Sequence, residues 1–228
     1  MSGTYTILVD PNWDTTGAVT LTLSEEVLGW ITPGGASVPV TIARAGQRAR
    51  LFFNGTAGQR VSINVIGATF TSYNVLLLNP NGSTLANTGG QQFLEPQTLP
   101  STDVYAVLLD PYQAYTGSGT VIVYDVPPDI TGSLTINGAA LPVTLSVGQK
   151  AFLTVAATAG QWITLRGTNS TIGCLEFAFY LPTGGWVSGA CGATWQQVTY
   201  VSQTGTYTFR LDPYGAYAGS LDVSVTSP

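Results

Sequence analysis

The stretch Gly3-Thr4-Tyr5-Thr6-Ile7-Leu8-Val9-Asp10-Pro11 decides the fold, because it occurs three times. It returns as Val104-Tyr105-Ala106-Val107-Leu108-Leu109-Asp110-Pro111, and again as Gly205-Thr206-Tyr207-Thr208-Phe209-Arg210-Leu211-Asp212-Pro213. The prolines that end these copies are 100 and 102 residues apart. Recurrence at a nearly fixed distance is the signature of an array of repeated units.

Two further motifs recur and fix the phase of the repeat. Thr56-Ala57-Gly58-Gln59 and Gly46-Gln47-Arg48 both return 102 residues later, the second as Gly148-Gln149-Lys150. Each Asp-Pro motif lies near the end of its unit, with one last strand after it. We therefore predict that residues 1–24 are the last two strands of a partial repeat. Residues 25–127 and 128–228 are predicted to be complete units that meet at Pro127-Pro128, a pair that stiffens a linker.

Within each unit the apolar residues alternate with polar ones. Ala49, Leu51 and Phe53 show this period of two, which indicates half-buried strands. Asn79-Pro80-Asn81-Gly82 and Pro182-Thr183-Gly184-Gly185 are turn sequences at equivalent places. We count seven or eight short strands per unit and no amphipathic helix. The predicted fold is all-β, with tandem jelly-roll-like antiparallel β-sandwich domains.

The composition excludes several classes of function. The 228 residues include no histidine, which removes most zinc sites and Ser-His catalytic pairs. Seven basic residues and a net charge of -5 argue against nucleic-acid binding, which needs clustered Lys and Arg. No run of about 18 apolar residues is present, so we expect no membrane insertion. We predict no cofactor and no metal site.

The two cysteines flank one of the turn sequences. Cys174 and Cys191 are centred on residues 182 and 183, so a hairpin would place them on facing positions of neighbouring strands. The alternatives are a disulfide and a pair of buried free thiols. We predict the disulfide, which occurs in oxidising compartments. The equivalent residues of the first complete unit are Ser72 and Gly89, so only the second unit would carry it.

The hairpin sequence resembles a known bacterial family. The run from Val75 to Ala86, with its Asn-Pro-Asn-Gly turn and a later Gly-Thr-Tyr strand, is similar to the pre-peptidase C-terminal domain. The repeated blocks also look like tandem repeats of large bacterial surface proteins, some of which carry RHS/YD repeats. The resemblance implies a jelly-roll-like sandwich in a secreted or surface-anchored protein. It also implies an accessory, substrate-binding or spacer role. Some members bind calcium through acidic residues, which here are scattered outside the Asp-Pro motifs.

Candidate ligand-binding residues are aromatic. Tyr112 and Tyr115 recur as Tyr214 and Tyr217 in loops that follow the Asp-Pro motif, where the first copy has Trp13 instead. Stacked on a sugar ring, these residues would form a lectin-like site. The alternative is packing against the end of the sandwich or the next unit. Trp186, beside a hairpin tip, is either a ligand platform or a rim residue of the core.

The recurring carboxylates and the single lysine have competing interpretations. Asp10, Asp110 and Asp212 are either functional carboxylates or turn formers, and we favour turn formers because none has a visible acid–base partner. Lys150 could form an intramolecular isopeptide bond, but its repeat counterpart is Arg48, which cannot form one. We therefore expect no enzyme.

Three functions remain in competition. The first is a structural spacer or adhesion module of an extracellular bacterial surface protein. The second is a carbohydrate- or polymer-binding accessory module. The third is assembly with other copies of the chain by strand exchange, because the apolar face of residues 1–24 needs a cover. The expected location is extracellular or at the cell surface.

Overall fold

The structure, a computed structural model, describes residues 3–227; Met1, Ser2 and Pro228 lie outside the described residues. The described chain contains strands and no helix. The first nine strands are β1 (Val27–Trp30), β2 (Val38–Ile42), β3 (Ala49–Gly55), β4 (Arg60–Ile66), β5 (Tyr73–Leu78), β6 (Thr84–Asn87), β7 (Phe93–Thr98), β8 (Asp103–Pro111) and β9 (Gly117–Asp125). The other nine are β10 (Ile130–Leu134), β11 (Leu141–Leu145), β12 (Ala151–Ala157), β13 (Trp162–Thr168), β14 (Leu175–Tyr180), β15 (Trp186–Gly192), β16 (Trp195–Tyr200), β17 (Gly205–Pro213) and β18 (Gly219–Thr226).

The strands form two sandwiches of the same topology. In the first unit, β1 to β9, one sheet has the order β1-β3-β8-β5-β6 and the other β2-β9-β4-β7. The second unit, β10 to β18, repeats these orders as β10-β12-β17-β14-β15 and β11-β18-β13-β16. Each unit thus has nine strands, more than the seven or eight that we expected. The all-β sandwich fold is confirmed.

The sheets are mostly antiparallel, with one parallel pair of strands in each unit. The first strand of each unit pairs in parallel with the third, β1 with β3 and β10 with β12. The intervening strand, β2 or β11, belongs to the opposite sheet. The chain therefore crosses to the other sheet and returns, which a β-hairpin connection cannot do.

Alternation along the strands produces one apolar core in each unit. In β3 and β12 every second residue is buried, and these side chains face the opposite sheet. Phe53 stacks on Tyr105 in the first core, and Phe177 stacks on Trp195 in the second. The inner strands β8, β9, β17 and β18 bring the Asp-Pro motif of each unit to one end of the sandwich.

The N-terminal segment differs from the prediction. We expected residues 1–24 to form two strands, but the described residues 3–26 contain no strand. Every residue from Gly3 to Leu23 is exposed. A strand needs a neighbour to satisfy its backbone N–H and C=O groups, and this segment pairs with no other strand among the described residues. Its character as the tail of a repeat stays a prediction.

The disulfide is present, although the register of its hairpin differs from the one that we expected. Cys174 and Cys191 are bonded, with their Cα atoms 6.2 Å apart. In the hairpin of β14 and β15, Cys191 lies opposite Glu176 and not opposite Cys174. A β-bulge between Phe179 and Tyr180 accounts for one residue of this shift, and the bond joins the residue before β14 diagonally to β15.

Candidate interaction surfaces

The Asp-Pro carboxylates of both units are paired with the basic residue of the Gly-Gln-Arg/Lys motif. The Lys150 ammonium lies 2.6 Å from Asp212 Oδ2, and Arg48 Nη1 lies 3.7 Å from Asp110 Oδ2. The two residues of each pair come from neighbouring strands, because β3 pairs with β8 and β12 with β17. Both carboxylates therefore take part in structural ion pairs at one end of each sandwich.

In the second unit this end is covered by the first unit. Gly148 is buried and has a φ of +75°. A Cβ at this position would lie 2.8 Å from Pro96 Cγ and 3.3 Å from both Ser62 Oγ and Val126 Cγ2. All three neighbours belong to the first unit or to its link with the second. Only glycine fits the left-handed backbone and the close approach together.

Polar contacts support the same junction. Arg60 Nη1, from β4 of the first unit, lies 2.9 Å from Asp129 Oδ1 at the start of the second unit. The same guanidinium donates a hydrogen bond to the Pro127 carbonyl oxygen. Asp129 Oδ1 also accepts a hydrogen bond from the Lys150 backbone N–H, so one carboxylate connects both units to the Gly-Gln-Lys loop. The linker is thus held by side chains on both sides.

A cleft of about 600 Å³ opens beside the junction. Asn64, Phe93 and Glu95 line it from the first unit, and Tyr214 and Tyr217 line it from the second. Partial burial raises the pKa of the Glu95 carboxyl; the Lys150 ammonium opposes this shift and the Asp212 carboxylate adds to it. The cleft therefore combines aromatic rings, amides and a carboxyl with an increased tendency to hold a proton.

The other predicted aromatic residues lie elsewhere. Tyr112 lines a smaller cleft of about 390 Å³ at the open end of the first unit. Tyr115 lies in the same loop, where its N–H donates to the Tyr112 carbonyl oxygen. Trp186 is 64% exposed at the first position of β15, an edge strand. The six aromatic candidates therefore do not form one site.

Trp13 occupies a different position in its loop from the one that we assigned to it. Counting from the Asp-Pro motif, Trp13 aligns with Gln113 and Gly215, and Asn12 aligns with the first tyrosine of each later loop. Trp13 has a φ of 59° and is 97% exposed. It is a turn residue in a left-handed conformation and is not equivalent to the tyrosines.

An apolar surface that we did not predict covers the outside of the first unit's five-stranded sheet. On this side of the sheet Leu28 and Trp30 are exposed and Phe52 and Leu76 are partly buried, whereas Leu78, Ala106 and Leu108 form a small buried cluster. Trp30 and Phe52 pack with ring centroids 5.7 Å apart, and Trp30 is 61% exposed. The exposed apolar area of this face is therefore limited to Leu28 and Trp30 on the edge strand β1.

The second unit lacks this surface. Arg210 and Thr208 replace Leu108 and Ala106 at the equivalent positions, and the Arg210 guanidinium pairs with Glu176. The sequence carried a signal for the difference. Residues 75–78 and 104–109 are unbroken apolar runs, which indicate strands with apolar side chains on both faces and not simple alternation.

Within residues 3–227, no group of three or more Cys, Asp or Glu side chains is placed to hold a metal ion. Within the same range, no helix is long and apolar enough to cross a membrane.

Comparison with known proteins found no matching family model and no matching curated protein. Among solved structures, the pre-peptidase C-terminal domain of a collagenase from Bacillus anthracis aligns with 44% of this chain and 99% of its own. Its TM-score is 0.37 and its identity 15%. The lysozyme inhibitor PliG from Aeromonas hydrophila aligns with 43% of this chain and 99% of its own, with a TM-score of 0.33 and 12% identity.

A human protein aligns over a longer stretch. The CUB1-EGF-CUB2 region of human MASP-1/3 aligns with 83% of this chain and 99% of its own, with a TM-score of 0.30 and 8% identity. The sandwich fold is assigned from the strands and sheets of this chain itself.

Proposed function

We propose that this chain is a non-catalytic spacer module of an extracellular bacterial surface protein, in which successive sandwiches are held in a fixed relation. The observation that carries the proposal is the packing of Gly148 against Pro96 and Ser62 of the preceding unit. A spacer has to transmit position from one unit to the next. A junction with buried backbone contacts and a bridging salt bridge does so better than a free linker.

Other features support the same proposal. The disulfide suits an oxidising compartment outside the cytosol. Asp110 and Asp212 each form a salt bridge with a basic side chain, which leaves neither carboxylate as a free acid–base group.

The spacer role is tested by small-angle X-ray scattering on the full chain. We expect a profile that fits a single arrangement of the two units. Arg60→Ala removes the junction salt bridge and should broaden the distribution of distances between the units. Arg50→Ala removes an equal charge from a salt bridge inside the first unit and should leave the distribution unchanged. A wild-type profile of two freely moving units would overturn the proposal.

A carbohydrate-binding role is a second candidate, and the junction cleft favours it. Tyr214 and Tyr217 offer ring faces beside the amide of Asn64 and the carboxyl of Glu95, a combination that suits a sugar ring with its hydroxyls. The cleft needs both units in place, so binding would depend on the same rigid junction.

This second role is tested with a glycan array and pull-down on insoluble polysaccharides. We expect Tyr214→Ala to abolish binding and Tyr112→Ala, at the equivalent loop outside the cleft, to preserve it. Absence of binding across a broad panel would remove the candidate. Loss of binding with Tyr112→Ala alone would place the sugar at the open end of the first unit.

A further inference from the structure

The exposed N-terminal segment matches the last two strands of both units position by position. Pro11 aligns with the prolines that end β8 and β17, and Gly17 aligns with the glycines that begin β9 and β18. Five exposed apolar residues then align with buried positions of the two units: Ile7 with Val107 and Phe209, Val9 with Leu109 and Leu211, Val19 with Gly119 and Leu221, Leu21 with Val121 and Val223, and Leu23 with Val123 and Val225.

The loop inside this segment already has the conformation of its counterparts. The residue after the first loop position has a positive φ in all three copies, 59° at Trp13, 53° at Gln113 and 55° at Gly215. The same backbone hydrogen bond closes each loop: Thr15 N–H to Asn12 O, Tyr115 N–H to Tyr112 O and Tyr217 N–H to Tyr214 O. A tryptophan at positive φ is uncommon, so the shared turn is a specific likeness.

The positions of β8 and β9 in a complete unit show which neighbouring strands residues 3–24 would need. β8 lies between β3 and β5 in one sheet, and β9 lies between β2 and β4 in the other. Both are inner strands that face each other across the core. Addition of residues 3–24 to the edge of a finished sheet would satisfy one side of one strand and leave the apolar face bare. Their complement is a sandwich body with a gap in both sheets.

We propose that residues 3–24 complete a third sandwich, whose other seven strands come from a body equivalent to β1–β7 of the first unit. The segment inserts as the inner strand of both sheets, and the five apolar side chains enter the core. The partner is thus a seven-stranded body of this same repeat type, and not an already complete unit.

The first unit shows where the completed sandwich would lie. Gly46, with a φ of +74°, has no atom within 4 Å of an added Cβ, whereas its equivalent Gly148 is crowded by the neighbouring unit. The side chains of Arg48 and Asp110 are 46% and 38% exposed, compared with 27% for Lys150 and 15% for Asp212. The end of the first unit is the uncovered form of the junction surface.

The chain between the N-terminal segment and the first unit is short. Only Ser24 separates Leu23 from Glu25, whose carbonyl oxygen accepts the Gln47 side-chain hydrogen bond. In the second unit, residues 124–127 separate the equivalent Val123 from Pro128, whose carbonyl oxygen accepts the same bond from Gln149. This link is three residues shorter than the one between the complete units, so a completed third sandwich would lie close to the Gly46 end of the first unit.

The placement of the third sandwich against the first unit rests on the proposed docking of successive units. The test of strand insertion is separate from the test of that docking. Residues 128–204, which hold the seven strands β10–β16, are fused directly before Gly3 of the chain. Gly3 then stands where Gly205 follows Thr204 in the second unit. Hydrogen exchange is measured by mass spectrometry. We expect the amides of residues 3–24 to exchange on the order of a hundredfold more slowly in the fused chain.

Controls separate the possible outcomes. A fused chain with residues 205–226 in place of 3–24 verifies that the added body folds. Ile7→Asp with Leu21→Asp should abolish the protection in the fused chain and leave the 1–228 chain unchanged. Fast exchange of residues 3–24 beside a folded body would overturn the inference. Concentration-dependent protection in the 1–228 chain would also overturn it, since the occupant would then be a second copy. The scattering test of the spacer role is independent of all these results.

Discussion

Gly148 of the second unit packs against Pro96 of the first so closely that an added Cβ would lie 2.8 Å from Pro96 Cγ. Its repeat counterpart Gly46 has nearly the same backbone angle and no neighbour within 4 Å of that point. Replacement of Gly46 would therefore cause backbone strain alone. Replacement of Gly148 would cause the same strain and a steric conflict with the neighbouring unit.

We therefore predict different outcomes for Gly148→Ala and Gly46→Ala. Both substitutions carry the cost of a positive φ, about 1–2 kcal/mol. Gly148→Ala adds the overlap with Pro96, about 1–3 kcal/mol of overpacking unless the units separate. The free energy of unfolding measured in urea should fall more for Gly148→Ala, and only this variant should change the scattering profile. Equal losses for the two variants would show that the junction is not tightly packed.

Glu26 should make stability depend on pH. A hydrogen bond from the Arg50 guanidinium lowers the pKa of this carboxyl from its ordinary value of 4.5, against the opposing effect of burial, and the charges of Arg50 and Arg48 add to the lowering. An acid with a lowered folded-state pKa stabilises the protein fully above its ordinary pKa and loses that contribution as the pH falls through the lowered value. Glu26→Gln should cost about 0.5–1 kcal/mol at pH 7.

The pH profile checks this prediction. The difference between wild type and Glu26→Gln in urea unfolding should shrink as the pH falls below 4.5, the ordinary value. Glu25→Gln removes the same charge one residue earlier and serves as the control. A difference that stays constant down to strong acid would mean that the ion pair does not contribute.

The disulfide should stabilise the second unit alone. Cys174 and Cys191 are 17 residues apart, a loop for which a disulfide contributes about 3 kcal/mol by restricting the unfolded chain. The double variant Cys174→Ser and Cys191→Ser should therefore speed hydrogen exchange in residues 130–226. Exchange in β3 and β8 of the first unit should stay as in wild type. Equal acceleration in both units would indicate that they unfold as one body.

Two buried tyrosines should differ in their response to loss of the hydroxyl. The Tyr105 hydroxyl donates to the Ser101 carbonyl oxygen and also accepts from the Ser101 N–H, whereas the Tyr207 hydroxyl donates to the Gln203 carbonyl oxygen. One net hydrogen bond contributes about 0.5–1.5 kcal/mol. Tyr105→Phe should therefore destabilise its unit more than Tyr207→Phe. Thermal unfolding of both variants checks the order, and the reverse order would contradict the bonding described.

Most of the strands could be predicted from the sequence because their signals are local. Alternation in β3 and β12 and the turn at Asn79–Gly82 depend on neighbours a few residues away. The disulfide partners were also predictable, since the cysteines flank one hairpin. The register of that hairpin was not, because no local sequence pattern indicated the bulge between Phe179 and Tyr180.

The candidate site was less predictable. The Asp-Pro motif and the Gly-Gln-Arg/Lys motif were both visible as repeats, but their pairing through Lys150 and Asp212 joins residues 62 positions apart. The loop aromatic residues were chosen for their recurrence and Trp186 for its place beside a hairpin tip, and the structure separates them into different places. The junction cleft exists only because two units meet, so no local pattern indicated it.

By itself the sequence determined the repeat, the all-β class and the alternation that fills each core, because backbone geometry converts a period of two into two faces of a strand. Only the tertiary structure decided the parallel pairing of β1 with β3, the cover of Gly148 and the absence of cover at Gly46. These depend on which surfaces meet across long stretches of chain. Residues 3–24 show the difference most clearly: their sequence is that of two inner strands, and without paired strands beside them they form none.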